Sequence, residues 1–167
     1  MVDNYRMMAR YNRWMNEKLF AAAGSLTDQA RKRNMGAFFH SIHGTFNHIL
    51  VGDTLWMNRF ERTPIIWHGH AHQMFADFNQ LEHARQAMDV RIVAFTDALT
   101  ADWIAAPFDY NKLSGNPVRV SGWAALTHFF NHQTHHRGQV TTLLKQCDVD
   151  PGDTDIVAMP AVQGVQE

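Results

Sequence analysis

Residues 121 to 147, SGWAALTHFFNHQTHHRGQVTTLLKQC, read as a single long helix, with Ser121 as its N-cap and its end at Gln146 or Cys147. On an ideal wheel of 100° per residue, Ala125, His128, His132, His136, Gln139 and Leu143 share one stripe about 80° wide, with His132 at its centre. An apolar stripe at this spacing would simply face a core. Three imidazoles and an amide demand partners instead, because buried polar groups without hydrogen bonds are costly. Either the stripe is a hydrogen-bonded polar seam, or His132 and His136, one turn apart, offer two imidazoles to one metal ion.

Three more helices precede this one. Residues 4 to 23 place Tyr5, Met8, Met15, Leu19 and Ala22 on one face, with Asp3 as N-cap and Gly24-Ser25 as the stop. The second helix runs from about Ala37 to Glu61, with Phe39, Ile42, Phe46, Ile49, Asp53, Trp56 and Phe60 spaced alternately three and four apart, and Pro64 ends it. Leu81, Ala84, Met88, Ile92, Phe95, Leu99 and Trp103 mark the third, bounded by Pro107. Between Phe108 and Val120 the pattern changes to FDYNKLSGNPVRV, where Ser114-Gly115-Asn116-Pro117 is turn chemistry between two short extended arms, predicting a small hairpin between helices three and four. Helices of about 20 to 27 residues joined by loops make an all-α four-helix bundle, a single domain over residues 1–160. Asp148 to Pro160 reads as a loop-like extension and residues 161–167 as a disordered tail. The connection from Thr63 to Asn79 is longer than a bundle needs, and loops of that length are often functional or poorly ordered.

At 167 residues the chain can bury a core without disulfides or a structural metal, which leaves a metal free for chemistry. Fifteen Lys and Arg against sixteen Asp and Glu give a formal net charge of -1, and with no basic run nothing favours nucleic acid. The lone Cys147 excludes an intrachain disulfide, and the opening MVDNYRMMARYNRW is too polar for a signal peptide. No apolar run approaches the roughly 20 residues that cross a bilayer, so the expectation is a cytoplasmic protein without a membrane partner.

His48, in the string Phe46-Asn47-His48, is a candidate third ligand, although a single histidine on a largely apolar helix is also an ordinary satisfied core residue. The wheel places it with Gly52 and Trp56, roughly 160° from Phe46, so helix two has two buried-looking faces, one inside the bundle and the other facing a further surface such as a second subunit. His68-Gly69-His70-Ala71-His72 is a competing cluster: in an extended segment its three imidazoles would share one side, whereas Gly69 and the long loop favour a solvated segment. His40, His43, His83 and His135 read as surface or hydrogen-bonded residues. Asp53, in the apolar row of helix two, needs a partner: it either orients a ligand histidine or pairs with an arginine such as Arg137. Trp56, Trp103 and Trp123 read as core or pocket walls, and Cys147 as a helix-end thiol with no base beside it in sequence.

With these residues placed, the sequence resembles the DinB family, the damage-inducible, DinB/YfiT-like group of bacterial four-helix-bundle proteins. The matching strings are YRMMARYNRWMNEKL, SIHGTFNHILVGDTLWMNRF, SGWAALTHFFNHQTHHRGQV and VDPGDTDIVAMP, which together reach across nearly the whole chain. The resemblance implies a divalent metal ion (Zn, Ni or Fe) held by three histidines, mapping to His48, His132 and His136, with water in the remaining positions. It also implies an up-down-down-up bundle with a long connection after helix two, and commonly a homodimer. Related members act as thiol-dependent S-transferases or isomerases with glutathione-like, mycothiol or bacillithiol cofactors. His128 has no counterpart in the three-histidine set.

The chemistry of the residues agrees with that expectation. Three neutral imidazoles leave a metal its full charge, which lowers the pKa of a bound water or thiol toward neutrality. A metal with an open face therefore suffices for transfer from a small-molecule thiol without a protein nucleophile, and equally for hydrolysis. The alternative is a non-catalytic metal-binding stress protein that acts through its dimer surface.

Overall fold

The computed structural model describes residues 1–163. Its long helices are α1 (Val2–Gly24), α3 (Ile42–Phe60), α4 (Phe78–Asp97) and α6 (Gly122–Lys145), with short helices α2 (Asp28–Lys32), α5 (Ala101–Ala105) and α7 (Pro160–Gln163). Strands β1 (Pro107–Asn111) and β2 (Pro117–Ser121) form the expected antiparallel hairpin, in register Phe108 opposite Val120 and Tyr110 opposite Val118. The hairpin turn closes through the Lys112 amide donating to the Asn116 carbonyl at 2.8 Å, with Gly115 supplying the positive φ of 87°.

Contacts between helices fix the topology. Phe46 and Phe60 of α3 pack on Phe78 and Phe95 of α4, so these two run parallel. In α1, Arg10 reaches Asp97 while Phe20 stacks on Phe78, which makes α1 and α4 antiparallel. Tyr5 and Asn12 meet Thr127 and Arg137 of α6 in the same order, so α1 and α6 are parallel. The bundle is therefore up-down-down-up, as expected. Its core holds an aromatic cluster at each end, Phe20, Phe46 and Phe78 at one and Phe60, Phe95, Phe108 and Phe129 at the other. Each such ring taken fully out of water is worth about 1.5–3 kcal/mol. No helix among the described residues is long and apolar enough to cross a membrane.

Three boundaries differ from the sequence reading. α3 starts at Ile42, not near Ala37, because Ser41 Oγ accepts the Gly44 amide at 3.0 Å while residues 35 to 40 fold into a turn. Gly44 is what lets that turn back onto the helix, since a Cβ there would lie 2.2 Å from the Phe39 carbonyl oxygen. The apolar row of helix three does continue to Trp103, but α4 stops at Asp97 and Thr100 caps the separate α5 by accepting the Trp103 amide at 3.1 Å. α1 begins at Val2, one residue before the Asp3 proposed as its cap, and Asp3 instead pairs with Arg6 at 3.0 Å. In the C-terminal extension, Tyr11 donates to the Thr154 carbonyl at 2.7 Å and Met159 is buried. Residues 160 to 163 form α7, and the rest of the expected tail lies outside the described residues.

The long connection after α3 folds back along that helix. Asn47 mimics a backbone partner for it, accepting the Phe75 amide at 3.0 Å and donating to the Phe75 carbonyl at 3.1 Å, and buried His43 donates to the same carbonyl at 2.9 Å. Val51, Leu55, Trp67 and Phe75 enclose a cavity of about 360 Å³ between loop and helix. The second apolar face of α3 is thus covered within the chain, which is why fifteen residues of this helix are buried in a single copy.

Candidate metal centre

α3 and α6 cross antiparallel, bringing one histidine of α3 against two of α6. His48 Nε2 lies 3.1 Å from His132 Nε2 and 3.1 Å from His136 Nε2, and the three form the one group of potential metal ligands among the described residues. His48 and His136 are buried and His132 is half-buried, so the triad is most open on the His132 side, where Asn131, His135 and His128 are exposed. Phe39 closes the other side, stacked on His48 at 3.6 Å between ring centroids and edge-on to His136 at 5.6 Å.

The hydrogen bonds around the triad decide which nitrogens carry lone pairs. His48 Nδ1 donates to the His70 carbonyl at 2.9 Å, and His136 Nδ1 donates to Gln139 Oε1 at 2.8 Å, so each neutral ring has an unprotonated Nε2 aimed inward. Gln139 is oriented in turn by donating from Nε2 to His135 Nε2 at 3.3 Å. Two lone pairs facing each other at 3.1 Å repel unless they share a cation. Bonds of about 2.0–2.2 Å to one ion would separate such nitrogens by about 3.0–3.5 Å, so the donor set fits a first-row divalent metal.

Electrostatics keep the ligands ready. Burial pushes the His48 pKa down to about 4, with nearby His136 and His70 adding to it and the His70 carbonyl opposing it. His132 is pushed down to about 3 by burial and then by His136, His48 and His128, and burial lowers His136 against the pull of Gln139. All three imidazoles are thus neutral at pH 7.

His132 has no such acceptor; α3 positions it by shape. A Cβ at residue 52 would lie 2.7 Å from His132 Cε1, so only glycine leaves room for the ring. Gly52→Ala is expected to keep the helical circular dichroism spectrum and lower metal affinity by about 10- to 100-fold, the range seen when a ligand loses its orientation. Unchanged affinity by competition with a chromogenic chelator would show that the ring is not held by this contact.

Behind the triad lies a buried polar layer. Asp53 pairs with Arg85, not with Arg137, and accepts Gln133 Nε2 at 2.8 Å. Arg85 also lies 2.9 Å from Asp89, which accepts from Asn16 at 2.9 Å and Asn12 at 3.2 Å. Arg137 donates instead to Asn12, because its place on α6 faces α1. Gln133 sits between the two ligand histidines of α6, so its bond to Asp53 helps set the register of the two ligand-bearing helices.

Other sequence expectations resolve differently. His68 and His72 rings approach each other at 4.7 Å while the His70 ring packs on Trp67 at 4.7 Å, so the three do not form a second ligand group among the described residues; the cluster serves the triad through the His70 backbone. His128 is exposed and packs 4.9 Å from Trp56, one turn from His132 and outside the triad. Trp123, expected as core or pocket wall, is 50 % exposed and is a pocket wall: it lines a cavity of about 360 Å³ with Val2, Ala101 and Ile104. The His70 carbonyl and the seat that Gly52 provides carry no local sequence signal. Phe39 was legible only as an apolar residue, and Gln139 only as a member of the polar stripe.

Comparison with known proteins agrees with this fold. The model of the DinB family matches residues 1–167. Protein DinB of Bacillus subtilis (strain 168) is 22% identical over 157 residues, covering 87% of each chain. The crystal structure of a DinB-like protein from Bacillus cereus ATCC 10987 superposes with a TM-score of 0.59 at 18% identity, covering 83% of this chain and 89% of that one.

Proposed function

Since the chain belongs to the DinB family, we propose that His48, His132 and His136 hold one divalent ion and that the protein is a metal-dependent enzyme acting on a small-molecule thiol, with water as the lesser alternative nucleophile. The observation that carries this reading is the convergence of three Nε2 atoms at 3.1 Å contacts, with no fourth protein donor in the group. When bound, the ion would supply a Lewis acid that lowers the pKa of a thiol or water toward neutrality. The chain's own residues supply the setting. The His70 carbonyl and Gln139 hold two ligand tautomers, Phe39 excludes water from the buried side, and half-buried His132 borders the open one.

Among the described residues the one cysteine stands away from the triad. Cys147 lies eleven residues beyond His136, about 16 Å along the helix direction, and its sulfur contacts Met35 at 4.0 Å and Arg33 at 3.8 Å. The attacking sulfur therefore comes from outside. In transfer to an aryl halide, a carbon–sulfur bond forms, halide leaves and the thiol proton passes to solvent.

Steady-state assays of metal-loaded protein with glutathione, mycothiol and bacillithiol against 1-chloro-2,4-dinitrobenzene and monochlorobimane test the reading. The rate is expected to rise with pH well below the free-thiol pKa of about 8.5. It should be lost in His136→Ala and kept in Cys147→Ser. Failure of all three thiols to react, or to perturb the visible spectrum of cobalt-substituted protein, would leave a non-catalytic metal-binding protein as the better reading.

A further inference from the structure

Three turns beyond His48 on nearly the same face of α3, Arg59 is 8% exposed yet faces no carboxylate among the described residues. Its guanidinium packs against two adjoining rings, 4.7 Å from Trp56 and 4.6 Å from Tyr110, whose own centroids are 5.3 Å apart. Its one side-chain hydrogen bond there runs from Nη2 to the Asn111 carbonyl at 3.2 Å, and its buried Nε has no partner. Arg85, also buried, is by contrast paired with Asp53 and Asp89. An uncompensated buried cation is costly, and burial pulls the Arg59 pKa below its ordinary value.

Arg59 lines a cleft of about 870 Å³ between the end of α3 and the hairpin. Its charged lining is Arg59, Arg62, Arg119 and Asp109. Asp109 is already bound by Arg119 through two bonds of 2.7 and 2.9 Å, while Arg62 reaches only the Asp109 backbone carbonyl, at 2.5 Å. Two guanidiniums thus border the cleft without a counter-charge. A row of side-chain contacts runs from Arg59 to the triad: Trp56 touches both Arg59 and His128, and His128 lies 6.3 Å from His132.

We propose that this cleft is a carboxylate-binding subsite anchored by Arg59, taking the acidic end of a small organic acid. A carboxylate fits because the coplanar N–H groups of a guanidinium match a planar, two-oxygen acceptor, and the rings packed on Arg59 give it no anionic partner of its own. Binding at Arg59 does not rest on the metal reading.

Amide NMR titration of the full chain with succinate at constant ionic strength tests it. Saturable shifts are expected at residues 58 to 63 and 109 to 119, and none with uncharged succinamide. Arg59→Gln should weaken succinate binding about tenfold or more, and exposed Arg62→Gln, which does not disturb the core, should weaken it several-fold. Removing metal or replacing His132 with alanine should leave the shifts in place, which separates this claim from the metal reading. Equal shifts with succinamide, undiminished binding in both arginine variants, non-saturating shifts spread over the surface, or binding of inorganic phosphate but not succinate would each overturn it.

Discussion

Replacing His132 or His136 with alanine is expected to reduce bound metal from about one ion per chain to near zero, a larger loss than the about 10- to 100-fold cost of disturbing a ligand's outer partners. Each substitution removes one of three donors whose Nε2 atoms already meet, and leaves two that cannot close a site alone. Elemental analysis of protein purified without an affinity tag, together with chelator competition, measures it. Combined replacement of His68, His70 and His72 should leave the stoichiometry intact, because only the backbone carbonyl of His70 serves the triad. If that triple variant loses the ion while the α6 variants keep it, the site has been misplaced.

The same site predicts an unusual pH profile. Protons compete with metal only below a ligand's own pKa, and burial has moved His48 down to about 4 and His132 down to about 3. With His136 lowered as well, affinity should hold further below pH 7 than it would for imidazoles at their ordinary value of about 6.5. A fall beginning near pH 6.5 would show that the rings titrate as exposed groups.

Arg85→Met should destabilise the fold by about 3–5 kcal/mol at pH 8. The substitution keeps a long side chain in place but leaves Asp53 and Asp89, both buried, without their cation. At about 2–4 °C per kcal/mol for a chain of this size, the melting temperature should drop by about 6–20 °C. The sign of the pH dependence follows from the carboxylates. Burial raises both pKa values, and Arg85 is the strongest influence holding them down. Without Arg85 the folded-state values rise further above the unfolded ones, so the two acids are tolerated when protonated and the penalty grows as pH rises through them. The gap between wild type and variant, from urea unfolding, should be smaller at pH 5 than at pH 8. A variant as stable as wild type at pH 8 would mean that the ion pair contributes no net stability there.

Much of this protein is local information. The 3.6-residue rhythm in 4–23, 37–61, 81–103 and 121–147 fixes four amphipathic helices, and Ser114-Gly115-Asn116-Pro117 fixes the hairpin turn. The four-residue spacing of His132 and His136 puts both on one face whatever surrounds the helix. Helix ends were less legible, because Ser41 and Thr100 compete locally with an apolar pattern that continues past them.

Everything that turns two histidines into a three-ligand site is tertiary. His48 meets them only because α3 and α6 run antiparallel in one register, a register that the Asp53–Gln133 bond and the glycine seat under His132 both help to fix. Arg85 and not Arg137 neutralises Asp53, since which arginine reaches a buried carboxylate depends on which helices face each other and not on its spacing along the chain. Local periodicity determines which face of a helix is polar; only the packing of one helix on another determines which polar groups meet, because those contacts join residues 32 to 125 positions apart and no short-range pattern carries them.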